Sequence, residues 1–280
     1  MLFKEWNVLL VDDEPDVLTV TKLALRDMRV YDLPLKIHTA ASKAEAMELL
    51  NTRLAASGMP GATVAVALID VVMETDHAGL DLCRQIRGEM RNWSSQLYIR
   101  TGQPGIAPER KVIDEYDISG YISKVDATEQ KLYTLIKSGV RQWYSIFYSK
   151  LIADIAQEAT IASESKEQML SALRRSGAGF EDPELVTGII FDQSDVLSYS
   201  PPPTLFAIRD ELGATEPMTI TPEGHQLFAA GPKVMIHIVE TPGTADYVYI
   251  LQGKMAMPES LLDLTFRHSM AISTLWKRAA

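Results

Sequence analysis

The chain has 280 residues, of which 46% are hydrophobic and 23% charged, and its formal net charge is −10. These values describe a globular, soluble chain of one large or two ordinary domains, and the excess of acid works against nonspecific binding of nucleic acid. The single cysteine, Cys83, excludes an intramolecular disulfide and a multi-cysteine metal site, and no apolar run is long enough to span a bilayer.

The first residues, Met1-Leu2-Phe3-Lys4-Glu5-Trp6, lack the apolar core of a signal peptide, which favours a cytoplasmic protein without membrane insertion. Trp6–Val11 reads as a strand that ends in Asp12-Asp13. Pro15 suits a helix start, and Val17, Leu18, Thr21, Leu25 and Met28 follow at helical spacing. Leu35–Thr39 reads as a second strand, and Ser42 as the N-cap of a helix to about Ala55 with Ala46, Leu49 and Leu50 facing inward. The apolar run Val64–Ile69 is a third strand, fully buried, that ends in Asp70. Helices over Leu80–Arg91 and Pro108–Tyr116 alternate with strands at Leu97–Arg100 and Gly120–Ile122. Five strand–helix units in succession predict a doubly wound, five-stranded parallel sheet over residues 1–126.

From Ala127 to Ala162 the only glycine is Gly139 and there is no proline. Val140, Tyr144, Phe147, Leu151, Ile155, Ala159 and Ala162 recur at steps of three and four, which predicts one long connector helix with an apolar face. Such a face needs cover, either from the sheet that the helix leaves or from a partner helix as well, and pairing of two copies as a homodimer is the expectation. Residues 163–280 change period. A short helix at Glu167–Arg175 precedes strands at Val186–Asp192, Val196–Ser200, Leu205–Ile208, Gln226–Ala230, Val234–Glu240 and Tyr247–Leu251. Pro201-Pro202-Pro203 is a rigid break and Thr241-Pro242-Gly243-Thr244 a hairpin turn. Leu261–Trp276 closes the chain as a helix with Leu262, Phe266, Met270 and Ile272 as core. This is an α+β order. Six Lys and Arg against thirteen Asp and Glu from Ser176 onward argue against a DNA-binding output.

The chemistry concentrates at strand ends. Asp12, Asp13 and Asp70 would converge at the carboxyl edge of the sheet, where open α/β folds hold their sites. Like charges held close need a cation, and Mg²⁺ suits an all-oxygen donor set. Asp70 could then attack a phosphoryl group. Thr101 and Lys124 follow the next two strands and could hold phosphoryl oxygens.

Val8–Asp13, Leu68–Met73, Arg100-Thr101-Gly102 and Ser123-Lys124 resemble the receiver domain of two-component response regulators, a flavodoxin-like fold, over about Asn7 to Gln142. The resemblance implies that Asp70 is the phosphoacceptor and that Asp12 and Asp13 bind Mg²⁺ with the backbone carbonyl of Val72. It also implies that Thr101 is a switch hydroxyl, that Lys124 binds phosphate, and that Tyr121 is the aromatic that swings inward. A sensor histidine kinase or phosphotransfer protein would be the phosphoryl donor. Departures from the usual pattern are Glu74 and Val125, where the family commonly has proline, and a Glu74–Gly79 loop one residue longer. His77 in that loop reads as a solvated residue. Thr101-Gly102-Gln103-Pro104-Gly105, Pro108-Glu109-Arg110 and Tyr116-Asp117-Ile118 resemble a receiver subgroup with a downstream domain of unknown function, here similar in element order to a GAF-type module.

The second half holds no His-Asp pair, cyclase signature, Gly-rich phosphate loop or Gly-x-Ser-x-Gly elbow. His225, His237 and His268 are scattered, and Phe206, Phe228, Tyr247 and Tyr249 read as packing residues. The expectation is a response regulator with no enzymatic output of its own beyond phosphoacceptance and autodephosphorylation, acting through dimer or partner contacts. Two alternatives stand beside it. One is the regulatory part of a larger cyclic-dinucleotide phosphodiesterase, cyclase or kinase. The other is a small-molecule sensor through the GAF-like domain.

Overall fold

The computed structural model describes residues 5–55, 63–102, 109–161, 164–165, 168, 189–191, 195–196, 213, 216–231, 233–238, 247–252 and 258–278. The chain divides into two compact units, one of residues 4–147 and one of 1–3 with 148–280.

In the first unit the strands are β1 (Trp6–Val11), β2 (Arg29–Val30), β3 (Leu33–Ala40), β4 (Val64–Asp70), β5 (Gln96–Thr101) and β6 (Gly120–Ser123). Between them lie α1 (Pro15–Leu25), α2 (Lys43–Asn51), α3 (Ala78–Gly88) and α4 (Glu109–Tyr116). The sheet order is β2-β3-β1-β4-β5-β6. The five strands β3-β1-β4-β5-β6 are parallel throughout. Their order is that of the flavodoxin-like doubly wound fold, whose ligand crevice opens where the order reverses, here between β1 and β4. Near-continuous apolar runs mark strands covered on both faces, and every residue of β4 is buried.

One correction concerns strand number. The sheet is mixed, with a sixth, short strand: β2 pairs antiparallel with β3 through Arg29↔Pro34 and Val30↔Leu33. Tyr31 and Asp32 turn the hairpin with φ of 50° and 62°. Positive φ at both central residues is the geometry of a two-residue hairpin turn, but Tyr-Asp is not the Asn-Gly pair that announces it. Two residues are also too few to show an alternation. Met28 accordingly falls beyond α1, which stops at Leu25.

The two faces are filled from different helices. Leu9 and Val11 of β1 pack with Ala46 and Leu50 of α2, Leu82 and Ile86 of α3 and Val112 of α4. Trp6, on the alternate register, meets Trp143 and Tyr144 edge-on, with ring centroids 6.3 and 6.0 Å away, and its Nε1 donates to Val30 O at 2.7 Å. Ser42 caps α2 by accepting the Glu45 N–H, as its position predicts.

After a 3-10 turn at Lys124–Asp126, α5 runs over Glu129–Ile161. The division between the two units falls inside it, after Phe147. Val140, Trp143 and Tyr144 are buried. The side chains of Leu151, Ile155 and Ala159, and all of Ala162, lie outside what is described. Gly139 is needed where α5 crosses the sheet, because a Cβ there would stand 2.6 Å from Cγ2 of Val66. Val66 is stiff at χ1 and cannot swing away. Gly139→Ala is expected to lower stability by about 1–3 kcal/mol, read as a lower midpoint in urea at unchanged slope.

In the second unit the strands are β7 (Ile189–Phe191), β8 (Asp195–Val196), β9 (Thr219–Ile220), β10 (Gln226–Ala230), β11 (Lys233–Ile238) and β12 (Tyr247–Gln252), followed by α6 (Glu259–Arg278). They form one antiparallel sheet in the order β8-β7-β12-β11-β10-β9. Leu261, Leu262, Thr265, Phe266 and Ser269 make the buried stripe of α6. Met270 is half-buried. Apart from Gln168, the helix at Glu167–Arg175 lies outside the described residues, as do Pro201-Pro202-Pro203, the strand at Leu205–Ile208 and the turn Thr241–Thr244. Among the described residues no helix is long and apolar enough to cross a membrane.

Candidate functional site

The ends of β1, β4, β5 and β6 bring charged side chains together at the carboxyl edge. Asp12 follows β1 directly and is fully buried. Its backbone N–H continues the ladder to Ala40 O at 3.1 Å, and its Oδ1 accepts the Glu14 N–H at 3.1 Å. Asp70 closes β4 at 4% exposure, and its Oδ1 accepts the Val71 N–H at 2.9 Å. Lys124 follows β6. Its Nζ lies 2.9 Å from Asp70, 3.1 Å from Asp12 and 2.7 Å from Glu14.

The other sequence-predicted residues, Asp13, Val72, Thr101 and Tyr121, are placed differently from one another. Asp13 is exposed and is not brought into the carboxylate group. Glu14 stands there instead: one oxygen each from Asp12, Glu14 and Asp70 lies within 4.8 Å of the others. β1 ends at Val11, and the chain must turn outward before Pro15 starts α1, which alternates the side chains of residues 12, 13 and 14. Glu14, immediately before Pro15, was visible in the sequence as a third acid of this turn but carried no strand-end signal. Val72 lies half-buried two residues beyond Asp70. Thr101 is 1% exposed at the end of β5, where it pairs with Ser123. Tyr121 is partly buried against the cluster that holds Val112 and Ile118.

Arg100, which the sequence offers only within the run Arg100-Thr101-Gly102, is central. Its guanidinium is buried, with NH2 donating to Asp12 Oδ2 at 2.9 Å and NH1 donating to Thr21 Oγ1 of α1 at 2.6 Å. Strand periodicity could have found it. Arg100 shares a register with Asp70 and lies one residue before Thr101, so it projects from the opposite face of β5.

The loop after Asp70 is held by its own bonds. Gly79 N–H donates to Val71 O at 3.1 Å, Met73 N–H to Thr75 O at 3.2 Å, and Glu74 accepts the Lys43 N–H at the start of α2 at 3.1 Å. His77 is exposed, and its side chain makes no capping bond to α3.

Burial raises the Asp70 carboxyl above its ordinary value, against the lowering effect of its bond to Lys124. Burial alone would lower the Lys124 ammonium. Its bonds to Glu14, Asp70 and Asp12 outweigh that and hold it above the ordinary lysine value. The sign follows directly: a cation favoured in the folded state stabilises fully below its unfolded pKa of about 10.4, and the contribution is lost as pH rises through the folded value.

The donor chemistry fits a hard divalent cation. Three carboxylates face two fixed cations, Lys124 and Arg100, so the cluster keeps a net negative charge, and hard cations take carboxylate oxygens. A buried carboxylate at a strand end, flanked by a lysine, can also act as a nucleophile toward a phosphoryl group whose charge that lysine offsets.

No family model matches the chain. A 138-residue segment, 49% of the chain, is 44% identical to the 3′3′-cGAMP-specific phosphodiesterase 2 of Vibrio cholerae. The chain spans about a quarter of that relative's length, 25%. Solved structures that match are receiver domains and related chains over about half of this one. The signal receiver domain of an HD domain-containing protein from Pseudomonas fluorescens is 23% identical, with a TM-score of 0.41, and the match covers 50% of this chain and 98% of that one. A putative response regulator from Chloroflexus aurantiacus is 22% identical, with a TM-score of 0.40 and coverage of 49% and 99%. An adenylate cyclase structure from Rhodopirellula baltica is 19% identical, with a TM-score of 0.39 and coverage of 50% and 90%.

Proposed function

We propose that this chain is a response regulator that accepts a phosphoryl group on Asp70. One observation carries the reading: the ammonium of Lys124 bonds Asp70, Asp12 and Glu14 at once, joining the ends of three strands at the switch point of the sheet. A lysine held against a buried carboxylate is the charge a transferred phosphoryl group would meet.

The donor would be a phosphohistidine of a sensor kinase or phosphotransfer protein. An Asp70 oxygen attacks phosphorus, the phosphorus–nitrogen bond breaks, and the imidazole nitrogen leaves with the bonding electrons and takes up a proton. Asp12, Glu14 and Asp70 would hold Mg²⁺, with Asp13 and the Val72 carbonyl as further candidate donors. When bound, the ion would offset phosphoryl charge. Lys124 turns from the carboxylates to the new phosphoryl oxygens, Thr101 donates its hydroxyl to one of them, and Tyr121 follows Thr101 inward. In this reading residues 1–126 receive, the helix over 127–162 relays, and the GAF-like residues 163–280 form a dimer or partner surface in the cytoplasm. The antiparallel sheet followed by α6 supports the α+β reading of those residues.

The test is labelling with radioactive acetyl phosphate and Mg²⁺. The wild type should take up label and Asp70→Asn should lose it by about a hundredfold or more; equal labelling sinks the reading. Light scattering with and without beryllofluoride then tests the dimer.

A second reading has its own support. The Vibrio cholerae relative is a phosphodiesterase about four times as long as the matched part. This chain would then be the regulatory portion of a larger enzyme acting on a cyclic dinucleotide. Finding a catalytic domain in the same reading frame would favour it.

A further inference from the structure

The carboxylate group contains a cation that the phosphoryl chemistry does not use. Arg100 is buried on β5, and both ends of its fork are committed, one to Asp12 Oδ2 and one to Thr21 Oγ1. Its side chain is 5% exposed and that of Asp12 is fully buried, so the guanidinium reaches neither solvent nor a docking partner. Replacing both members of a buried ion pair by apolar residues is often neutral or stabilising, so stability alone does not account for a guanidinium and a carboxylate buried together at this strand end. What the arrangement does provide is a fixed positive charge on Asp12. The other oxygen of Asp12 already accepts the Glu14 N–H and lies near Lys124. Any divalent cation that approaches Asp12 therefore meets a carboxylate whose charge is already neutralised, and must come close to a guanidinium that Thr21 prevents from moving aside.

We infer that Arg100 is a positioning residue that acts as a built-in counter-cation: it holds Asp12 in place without metal and weakens the site's affinity for Mg²⁺. The inference rests on the carboxylate group being the magnesium site of the proposed function. It makes the protein one whose acidic edge is stable when metal-free and which takes up the ion only at high free concentration, or together with an incoming phosphoryl group. Thr21 is part of the device, because it fixes the guanidinium to α1.

The test is calorimetric titration of the full chain with MgCl₂, with unfolding temperature measured in parallel. Arg100→Met should bind Mg²⁺ about tenfold more tightly than wild type, since one repelling charge in a buried site is gone. It should also be less stable than wild type without metal and gain more from added Mg²⁺. Thr21→Val should shift affinity the same way by less. Arg100→Lys, which keeps the charge, should bind as weakly as the wild type. Unchanged or weaker binding by folded Arg100→Met overturns the inference, as does Arg100→Lys binding as tightly as Arg100→Met. If Arg100→Met does not fold, unchanged binding by Thr21→Val overturns it. Phosphoryl labelling of the wild type is scored separately. Failure to label with the magnesium differences intact removes the phosphoacceptor reading and leaves this one standing.

Discussion

Lys124→Met is expected to lose phosphoryl uptake and, with it, about 2–3 kcal/mol of stability at neutral pH. The ammonium bridges Asp12, Glu14 and Asp70, and two of those carboxylates are almost wholly buried. Removing one partner of a buried ion pair costs about 3–5 kcal/mol because the other charge is left uncompensated. The value here should be smaller, since Lys124 keeps 17% of its side-chain surface in water and Arg100 still holds Asp12. The pH dependence separates this cause from a general loss of packing. Burial already raises the Asp70 carboxyl, and the bond to Lys124 lowers it. Without Lys124 the rise is larger. A carboxyl raised in the folded state binds its proton more tightly there, so stability falls as pH rises from the ordinary carboxylate value through the folded one. The deficit of Lys124→Met against wild type should therefore be greatest near pH 7 and shrink as pH falls. At the alkaline end the wild type alone should lose the stability that Lys124 supplies, above about pH 10.4. Chemical unfolding across this range measures both limbs, and a deficit that does not change with pH would show that charge is not its cause.

Gly79→Ala should be as damaging by a different route. A Cβ at Gly79 would lie 1.7 Å from the carbonyl oxygen of Asp70 and 2.8 Å from its carbonyl carbon. Both are backbone atoms of a strand bonded to β1 and β5, so they cannot step aside without breaking the ladder. The start of α3 must move instead, together with the bond from Gly79 N–H to Val71 O. Overpacking of this kind costs about 1–3 kcal/mol, and a clash with backbone belongs at the upper end. The functional loss should exceed the loss of stability. Displacing a reacting group by about 1 Å can cost about a hundredfold in rate, and α3 carries the loop that borders Asp70. Labelling of the folded variant with acetyl phosphate checks this. A labelling rate within about twofold of wild type would show that α3 shifts without disturbing the Asp70 peptide.

The parallel strands were legible because burial on both faces writes itself as an unbroken apolar run. Val8–Val11 and Val64–Ile69 need no partner to be recognised, and a charged residue at the end of such a run falls at the sheet edge by necessity. The same logic led from these runs to Asp12 and Asp70. It failed where the signal is short or conformational. β2 has two residues, and its turn depends on positive φ at Tyr31 and Asp32, which favour such values less than glycine or asparagine would. It also passed over Glu14, which stands with Asp12 and Asp70 while Asp13 is exposed. Which of three consecutive acids faces inward depends on the path from β1 into α1, and composition does not record that path.

The order of strands along the chain, their burial and the delivery of carboxylates to one edge are properties of local pattern, set by period and by the right-handed crossover that parallel strands require. Pairing across the sheet is of another kind. Arg100 and Asp12 are 88 residues apart, and Lys124 and Asp12 are 112 apart. Nothing in either neighbourhood states that a guanidinium from β5 and an ammonium after β6 share one buried carboxylate. That arrangement follows from strand order and register, which place β1, β4, β5 and β6 side by side. Only in the packed sheet is water excluded from Asp12, and it is this exclusion that makes its two cations matter.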